Sequence, residues 1–571
     1  MKVDLLIENS LVFDGTSSEP FKADVGISGD KIIFVNKESE GRSQKSRVKA
    51  EKVIDAKGLS VAPGFIDTHS HSEITLLADP RAEGKICQGI TTEINGNCGL
   101  SAAPLYDEAL TQREEDLKEL GIRERWSTFE EYFHILEKRE MAINFATLVG
   151  HGNIRASVKG YTDQELTKSD MKKMRGLLRE SVIKGAIGLS TGLIYPPGVY
   201  SKTEELIELC KVLSQSYNLP MPSLDPSLSL PDGRQAQAGP LTKEGIKKGV
   251  GGFGIYTTHM RNEGDKLIES IKETIRIGKK AGIRVHISHI KTSGEENWHK
   301  IEDAISLMEV SRIKGVLLTC DRYPYTASST DLDVILPSWT YSGGREEEIK
   351  RLRNPRLIEI IKNQILEKQS LRNYWKKIYI SFVSSKKNKW MEGRSLYDIA
   401  CAKGKTPVDT LFAILIEEKL KVTAIFSSLH EGNLRKFLSL PYCMIGTDSS
   451  ARCFSGRTCK GKPHPRGFGS FPRFLGKYVR KEGLMSISEG INKITQLPAK
   501  TFGIHKRGII RKGAFADIVI FDHKKIIDRA TFEVPFLRPE GIYYVLVNGF
   551  PVMWEGELTG KRPGRILKHG R

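Results

Sequence analysis

The run Pro63-Gly64-Phe65-Ile66-Asp67-Thr68-His69-Ser70-His71 places two histidines two residues apart, directly after an apolar stretch. Successive side chains of a strand point to opposite faces, so the imidazoles of His69 and His71 project from the same one. Two neutral imidazoles side by side suit a divalent metal, and a metal that activates water is a reagent for hydrolysis. An isolated pair of this kind carries little information. Its place after a strand and a Pro-Gly step sharpens it.

Such a pair does chemistry only if other elements bring further groups to it. The centre of the chain alternates apolar strand-like runs with amphipathic helical stretches, the pattern of βα units around a parallel sheet. Eight strands are predicted near 61–68, 90–95, 144–150, 186–191, 253–258, 284–289, 315–320 and 442–447. The clearest unit runs from Gly254-Ile255-Tyr256-Thr257-Thr258-His259 into a helix with Leu267, Ile268, Ile271 and Ile275 on one face, stopped by Gly282. Eight such units predict an α/β fold, the (β/α)8 or TIM barrel, with catalytic residues at the C-terminal ends of the strands. Both chain ends alternate in the manner of strands, and Asn548-Gly549 is a hairpin turn. They predict a small β-sandwich domain built from segments 1–60 and 505–571 around a barrel spanning 61–504. Two stretches break the repeat: 218–253, rich in Pro, Gly and Ser, delays the fifth strand, and an insertion at about 335–430 between strands seven and eight covers the barrel mouth.

Several ordered motifs fall at these strand ends. They are Thr92-Glu93-Ile94-Asn95-Gly96-Asn97-Cys98-Gly99, Gly188-Leu189-Ser190-Thr191-Gly192-Leu193-Ile194-Tyr195-Pro196-Pro197-Gly198, and Thr258-His259-Met260-Arg261-Asn262-Glu263-Gly264. Further along come Ile287-Ser288-His289-Ile290-Lys291, Tyr323-Pro324-Tyr325-Thr326-Ala327, Ile445-Gly446-Thr447-Asp448-Ser449, His464-Pro465-Arg466 and Phe471-Pro472-Arg473. With the histidine pair, they make the chain resemble the amidohydrolase superfamily, and within it the N-acyl-D-amino-acid deacylase (D-aminoacylase) family, over nearly its whole length.

The resemblance implies the metal ligands. Cys98, His259 and His289 are a tight Zn2+ site, and His69, His71 and Asp448 a second, weaker divalent site. Strand four, Ala186-Ile187-Gly188-Leu189-Ser190, offers no lysine of the kind that bridges two metals in many related enzymes, which favours the cysteine-liganded subtype. Asp448 is implied as the acid/base, Tyr195 as a donor to the oxyanion, and Lys291, Tyr323 and Arg466 as the cluster for the substrate α-carboxylate. His151, in Gly150-His151-Gly152 after strand three, is a further substrate-binding candidate. His286, three residues before His289, is read as facing the helices on the other side of its strand.

The activity implied is zinc-dependent hydrolysis of N-acyl-D-amino acids to a carboxylate and a free D-amino acid. Alternatives within the enzyme class are a peptidase for D-amino-acid dipeptides and a cyclic amide hydrolase of the hydantoin or dihydropyrimidine type. Outside it stands an inactive scaffold on the same fold, opposed by six filled ligand positions. A small anionic N-acyl amino-acid substrate gives the net charge of +19, from 88 basic and 69 acidic residues, a use at the barrel mouth, while most of the excess is read as a surface property. No zinc finger, helix-turn-helix or RNA-binding signature argues for a specific nucleic acid. No apolar run reaches the ~18–20 residues needed to span a bilayer, and the acidic N-terminus lacks a signal-peptide core, so no membrane partner is expected. Eight cysteines without a CxxC pair argue against a secreted disulfide framework, and the chain is read as cytoplasmic.

Overall fold

A computed structural model describes residues 1–40, 48–216, 254–368 and 373–569. Segment 218–253, read above as delaying the fifth strand, lies outside the described residues. Eight parallel strands are Phe65–Asp67, Ile90–Asn95, Asn144–Thr147 continued as Val149–Gly150, Gly188–Gly192, Ile255–His259, Arg284–Ile287, Leu318–Arg322 and Cys443–Ile445. Each pairs in parallel with the next through the series. Last meets first where the Asp448 amide donates to the His69 carbonyl at 2.8 Å and Ser449 bridges Ser70 in parallel. The result is the expected (β/α)8, or TIM, barrel.

The interior of this ring is packed rather than open. Ile66, Ile94, Ala146, Leu148, Ile187, Ile255 and Met444 form a buried layer, joined by Phe502 and Ile504 from the segment after strand eight. The outer helices bury the stripe that their spacing dictates. In Leu267–Ala281 the residues Leu267, Ile271 and Ile275 are buried, and Gly282 ends the helix at φ 65°, a left-handed conformation open to glycine at little cost. No helix among the described residues is long and apolar enough to cross a membrane.

The two chain ends share one nine-stranded sheet. Ser60–Pro63 from the N-terminal side runs antiparallel to Ile518–Phe521 from the C-terminal side, with Ile518 opposite Pro63. Asn548 and Gly549 both have positive φ, 50° and 82°, as a two-residue hairpin turn demands.

Between strands seven and eight the chain leaves the barrel. Ser328–Asp331, Ile378–Val383 and Val422–Phe426 form a three-stranded antiparallel sheet. With four helices it encloses a core of its own, including Leu332, Leu352, Ile380 and Leu411. Its first strand begins at Ser328, only six residues past Arg322, so this unit starts at the rim of the barrel.

Candidate active site

Strand ends bring six side chains to one point at the mouth. Cys98 Sγ lies 3.3 Å from His69 Nε2, 3.7 Å from His259 Nδ1 and 3.5 Å from His289 Nε2. Asp448 Oδ1 lies 3.5 Å from His69 Nε2 and 3.3 Å from His71 Nε2. Among the described residues three triads have metal-ligand spacing: His69, Cys98 and His289; His69, His71 and Asp448; and His259, Glu263 and His289. His69 belongs to the first two, so the thiol is ringed by three imidazoles rather than the two of the sequence reading. A thiol sulfur, four imidazole nitrogens and a carboxylate oxygen are the donor set expected for zinc or another borderline divalent ion.

The backbone is distorted to aim these groups. Cys98, His289 and Asp448 all have positive φ, at 52°, 37° and 49°, a region that side-chain-bearing residues occupy only when their surroundings enforce it. The turn at His289 also overturns the reading of His286. That ring does not face the helices; it is fully buried inside, 2.9 Å from Asp321 Oδ2 and edge-on to Phe502. The regular strand ends at Ile287, so alternation cannot be counted through to His289.

Electrostatics favour an ionised cluster. Burial opposes the Cys98 thiolate, but the facing His69 and His289 hold the thiol well below its usual range. Burial likewise opposes the Asp448 carboxylate, and Arg466, with Nη1 2.9 Å from Oδ2, leads the groups that hold it well below the ordinary value.

Behind the imidazoles stand two carboxylates that the sequence reading passed over. Asp321, on strand seven, has Oδ2 3.5 Å from His69 Nδ1, and its Oδ1 accepts from the His289 amide at 2.6 Å. Glu263 lies 3.0 Å from His289 Nδ1 and 3.5 Å from His259 Nε2, and pairs with Lys291. Carboxylates on the far ring nitrogens fix tautomer and orientation and raise ligand basicity. Glu263 was visible as the acid four residues after His259, and Asp321 as a charge inside a barrel strand.

Lys85 gave no such signal. Its ammonium is completely buried, 2.7 Å from Asp67 and 2.8 Å from Glu93, and donates to Ser70, Thr447 and the Ser449 carbonyl. Asp67 in turn accepts from the amides of His69 and Thr447. One buried network therefore ties the His69-Ser70-His71 loop to the strand end carrying Asp448.

The remaining predicted residues divide. Lys291, Tyr323 and Arg466 line the same cavity as Cys98, His259 and Asp448, a space of about 880 Å³. Tyr323 lies under two guanidiniums, 3.9 Å from that of Arg322 and 4.6 Å from that of Arg466. Tyr195 also lines it, edge-on to His259 at 5.0 Å, with its hydroxyl 2.9 Å from Thr330 Oγ1 of the insertion. His151 is not brought there. A helix begins at this residue, and its fully buried ring turns to Glu205 at 2.7 Å.

The chain is similar in sequence and fold to known amide hydrolases. A model described as the amidohydrolase family matches residues 52–211 and 449–553. D-aminoacylase of Alcaligenes xylosoxydans xylosoxydans is 33% identical over 564 residues, 99% of this chain and 97% of that protein. N-acyl-D-glutamate deacylase of the same organism is 31% identical over 567 residues, again 99% and 97%. Among solved structures, N-acyl-D-glutamate deacylase from Bordetella bronchiseptica, complexed with zinc and a phosphonate mimic of the tetrahedral intermediate, superposes with TM-score 0.77 at 29% identity, each chain covered fully. An L-hydantoinase from Arthrobacter aurescens, at 15% identity and TM-score 0.52, shares the fold alone.

Proposed function

Because this chain belongs to the amidohydrolase family and, within it, to the D-aminoacylases, we infer that it hydrolyses the amide bond of N-acyl-D-amino acids. The observation that carries this reading is the meeting of Cys98 with His69, His259 and His289 beside the Asp448–Arg466 pair, at one cavity that all of these but the fully buried His69 line. The enzyme is metal-dependent. The ion we assign is zinc, held by Cys98 and the facing imidazoles, with His69, His71 and Asp448 as a second set. When bound, it supplies Lewis-acid polarisation of the scissile carbonyl and lowers the pKa of water.

The chain's own residues do the rest. Asp448 takes the proton from the attacking water and returns it to the leaving nitrogen, so one carboxylate serves as base and then acid. Tyr195 is held with its hydroxyl toward the insertion strand and its ring against His259; it is the group we assign to donate to the developing oxyanion. Arg466, Lys291 and Tyr323 bind the α-carboxylate of the leaving amino acid. A planar guanidinium suits a carboxylate through two parallel hydrogen bonds. Eight free thiols fit a reducing, cytoplasmic setting for these steps.

The test is hydrolysis of paired N-acetyl-D- and N-acetyl-L-amino acids by the zinc-loaded enzyme. Release of free D-amino acid from the D-series alone is expected. Cleavage of hydantoins or L-substrates in its place would overturn the assignment.

A further inference from the structure

The cavity is not uniform in charge. Beyond Tyr195 its wall carries three carboxylates of the insertion, Asp331, Asp333 and Glu348. Asp331 directly follows Thr330, whose hydroxyl touches Tyr195, so the group begins one residue from the wall of the reaction centre. Glu348, on helix Gly344–Arg353, is only 4% exposed, and its Oε1 has no hydrogen-bond partner. A buried oxygen without a donor is costly unless a ligand supplies one.

Arg345 acts on all three carboxylates and Arg351 on Glu348, but only at a distance. Among the described residues the one ion pair of Arg345 within 4.0 Å is with Glu115, at 3.6 Å. Lys421, on the same wall, is paired with that same Glu115 at 3.4 Å. Burial pushes Asp333 up to about 7, with the charge of Asp331 adding to it, and pushes Glu348 up to about 9, with Asp333 adding. Among the described residues no cation lies within ion-pair distance of these three carboxylates, although the chain carries +19 overall. A compact metal ion is not what gathers these groups. The described metal-type triads all lie around His69 and His259, and these three carboxylates form none.

We propose that Asp331, Asp333 and Glu348 form a subsite for a cationic arm of the substrate, an ammonium or guanidinium carried on a flexible chain. The proposal rests on the deacylase reading and narrows it. The substrate is an N-acyl-D-amino acid whose α-carboxylate is held near Arg466 while a positive group reaches the insertion wall. The cation is either the side chain of the D-amino acid, as in lysine, ornithine or arginine, or part of the acyl group. An entering cation stabilises the ionised forms of Asp333 and Glu348, whereas an acidic side chain adds to the charge beside Asp331 and is disfavoured.

The experiment compares kcat/KM of the zinc-loaded enzyme for N-acetyl-D-lysine, N-acetyl-D-arginine, N-acetyl-D-methionine, N-acetyl-D-glutamate and N-(6-aminohexanoyl)-D-leucine. At least one cationic substrate should exceed the glutamate derivative by about a hundred-fold or more, the scale of like-charge discrimination at an interface. The lysine and aminohexanoyl arms separate side chain from acyl group. In an Asp333→Asn/Glu348→Gln variant the ratio of cationic to neutral rates should fall about ten-fold or more, the scale of a charged hydrogen bond. A ratio is read within one protein preparation, so partial misfolding does not imitate it. Cleavage of neutral substrates with no charge preference, or a ratio unmoved by the variant, overturns the subsite alone. Absence of cleavage across the whole panel overturns the deacylase reading and the subsite with it.

Discussion

Asp321 serves two of the ligand histidines at once: its Oδ2 lies 3.5 Å from His69 Nδ1, and its Oδ1 accepts from the backbone amide of His289. A third histidine, His286, has its Nε2 2.9 Å from Oδ2. One carboxylate thus sets the tilt of a ring on strand one and the strained turn after strand six. Replacing it with asparagine keeps the volume and removes the charge. Asp321→Asn is expected to weaken metal affinity by about 10–100-fold, the usual effect of losing such a partner. Competition with a fluorescent chelator measures it, and unchanged affinity would refute the positioning role.

The same reasoning applies on the other side of the site. Glu263 faces both His259 and His289 and is itself neutralised by Lys291. Glu263→Gln should lower metal affinity by a similar factor. It should also free Lys291, so KM for substrate is expected to move together with metal binding.

Cys98 and Asp448 should separate by readout. Cys98→Ala removes the one sulfur donor and is expected to leave the purified protein depleted of tightly bound metal. Asp448→Ala should retain metal while kcat falls by about 10²–10⁴, the range for losing a general acid/base. Elemental analysis alongside steady-state kinetics decides both. Retention of full metal by the cysteine variant would argue against the thiolate ligand.

Arg466 tests the carboxylate clamp. Arg466→Met should lower kcat/KM by about 10–100-fold, as loss of a charge-assisted pair does. Most of the loss is expected in KM, and N-acyl-D-amino acid amides, which lack the carboxylate, should be affected far less.

Lys85 concerns the fold rather than the chemistry. Removing its ammonium leaves Asp67 and Glu93 buried without their partner, a change that costs about 3–5 kcal/mol. Lys85→Met should lower Tm by several degrees and, because Asp67 holds the His69 and Thr447 amides, should also reduce metal retention. Calorimetry of the metal-loaded protein is the measurement. An unchanged Tm would mean the network carries little stability.

Much of this protein was legible without coordinates. The eightfold alternation of strand and helix specifies the barrel because a parallel strand pair needs a long crossover, and each helix must bury one stripe. The residues ending the strands, Cys98, His259, His289 and Asp448, meet because every parallel strand delivers its C-terminal end to one face. What the tertiary structure alone decided is orientation and second partners. Positive φ at His289, past the end of the regular strand at Ile287, breaks the alternation by which side chains are counted, so His286 and His289 both face inward. His151 sits at a strand end yet faces Glu205, because a helix begins at that residue. The Lys85 network and the acidic wall of Asp331, Asp333 and Glu348 join segments far apart in the chain. Charge pairing across such distances leaves no local pattern, since Coulomb interaction depends on separation in space and not along the sequence.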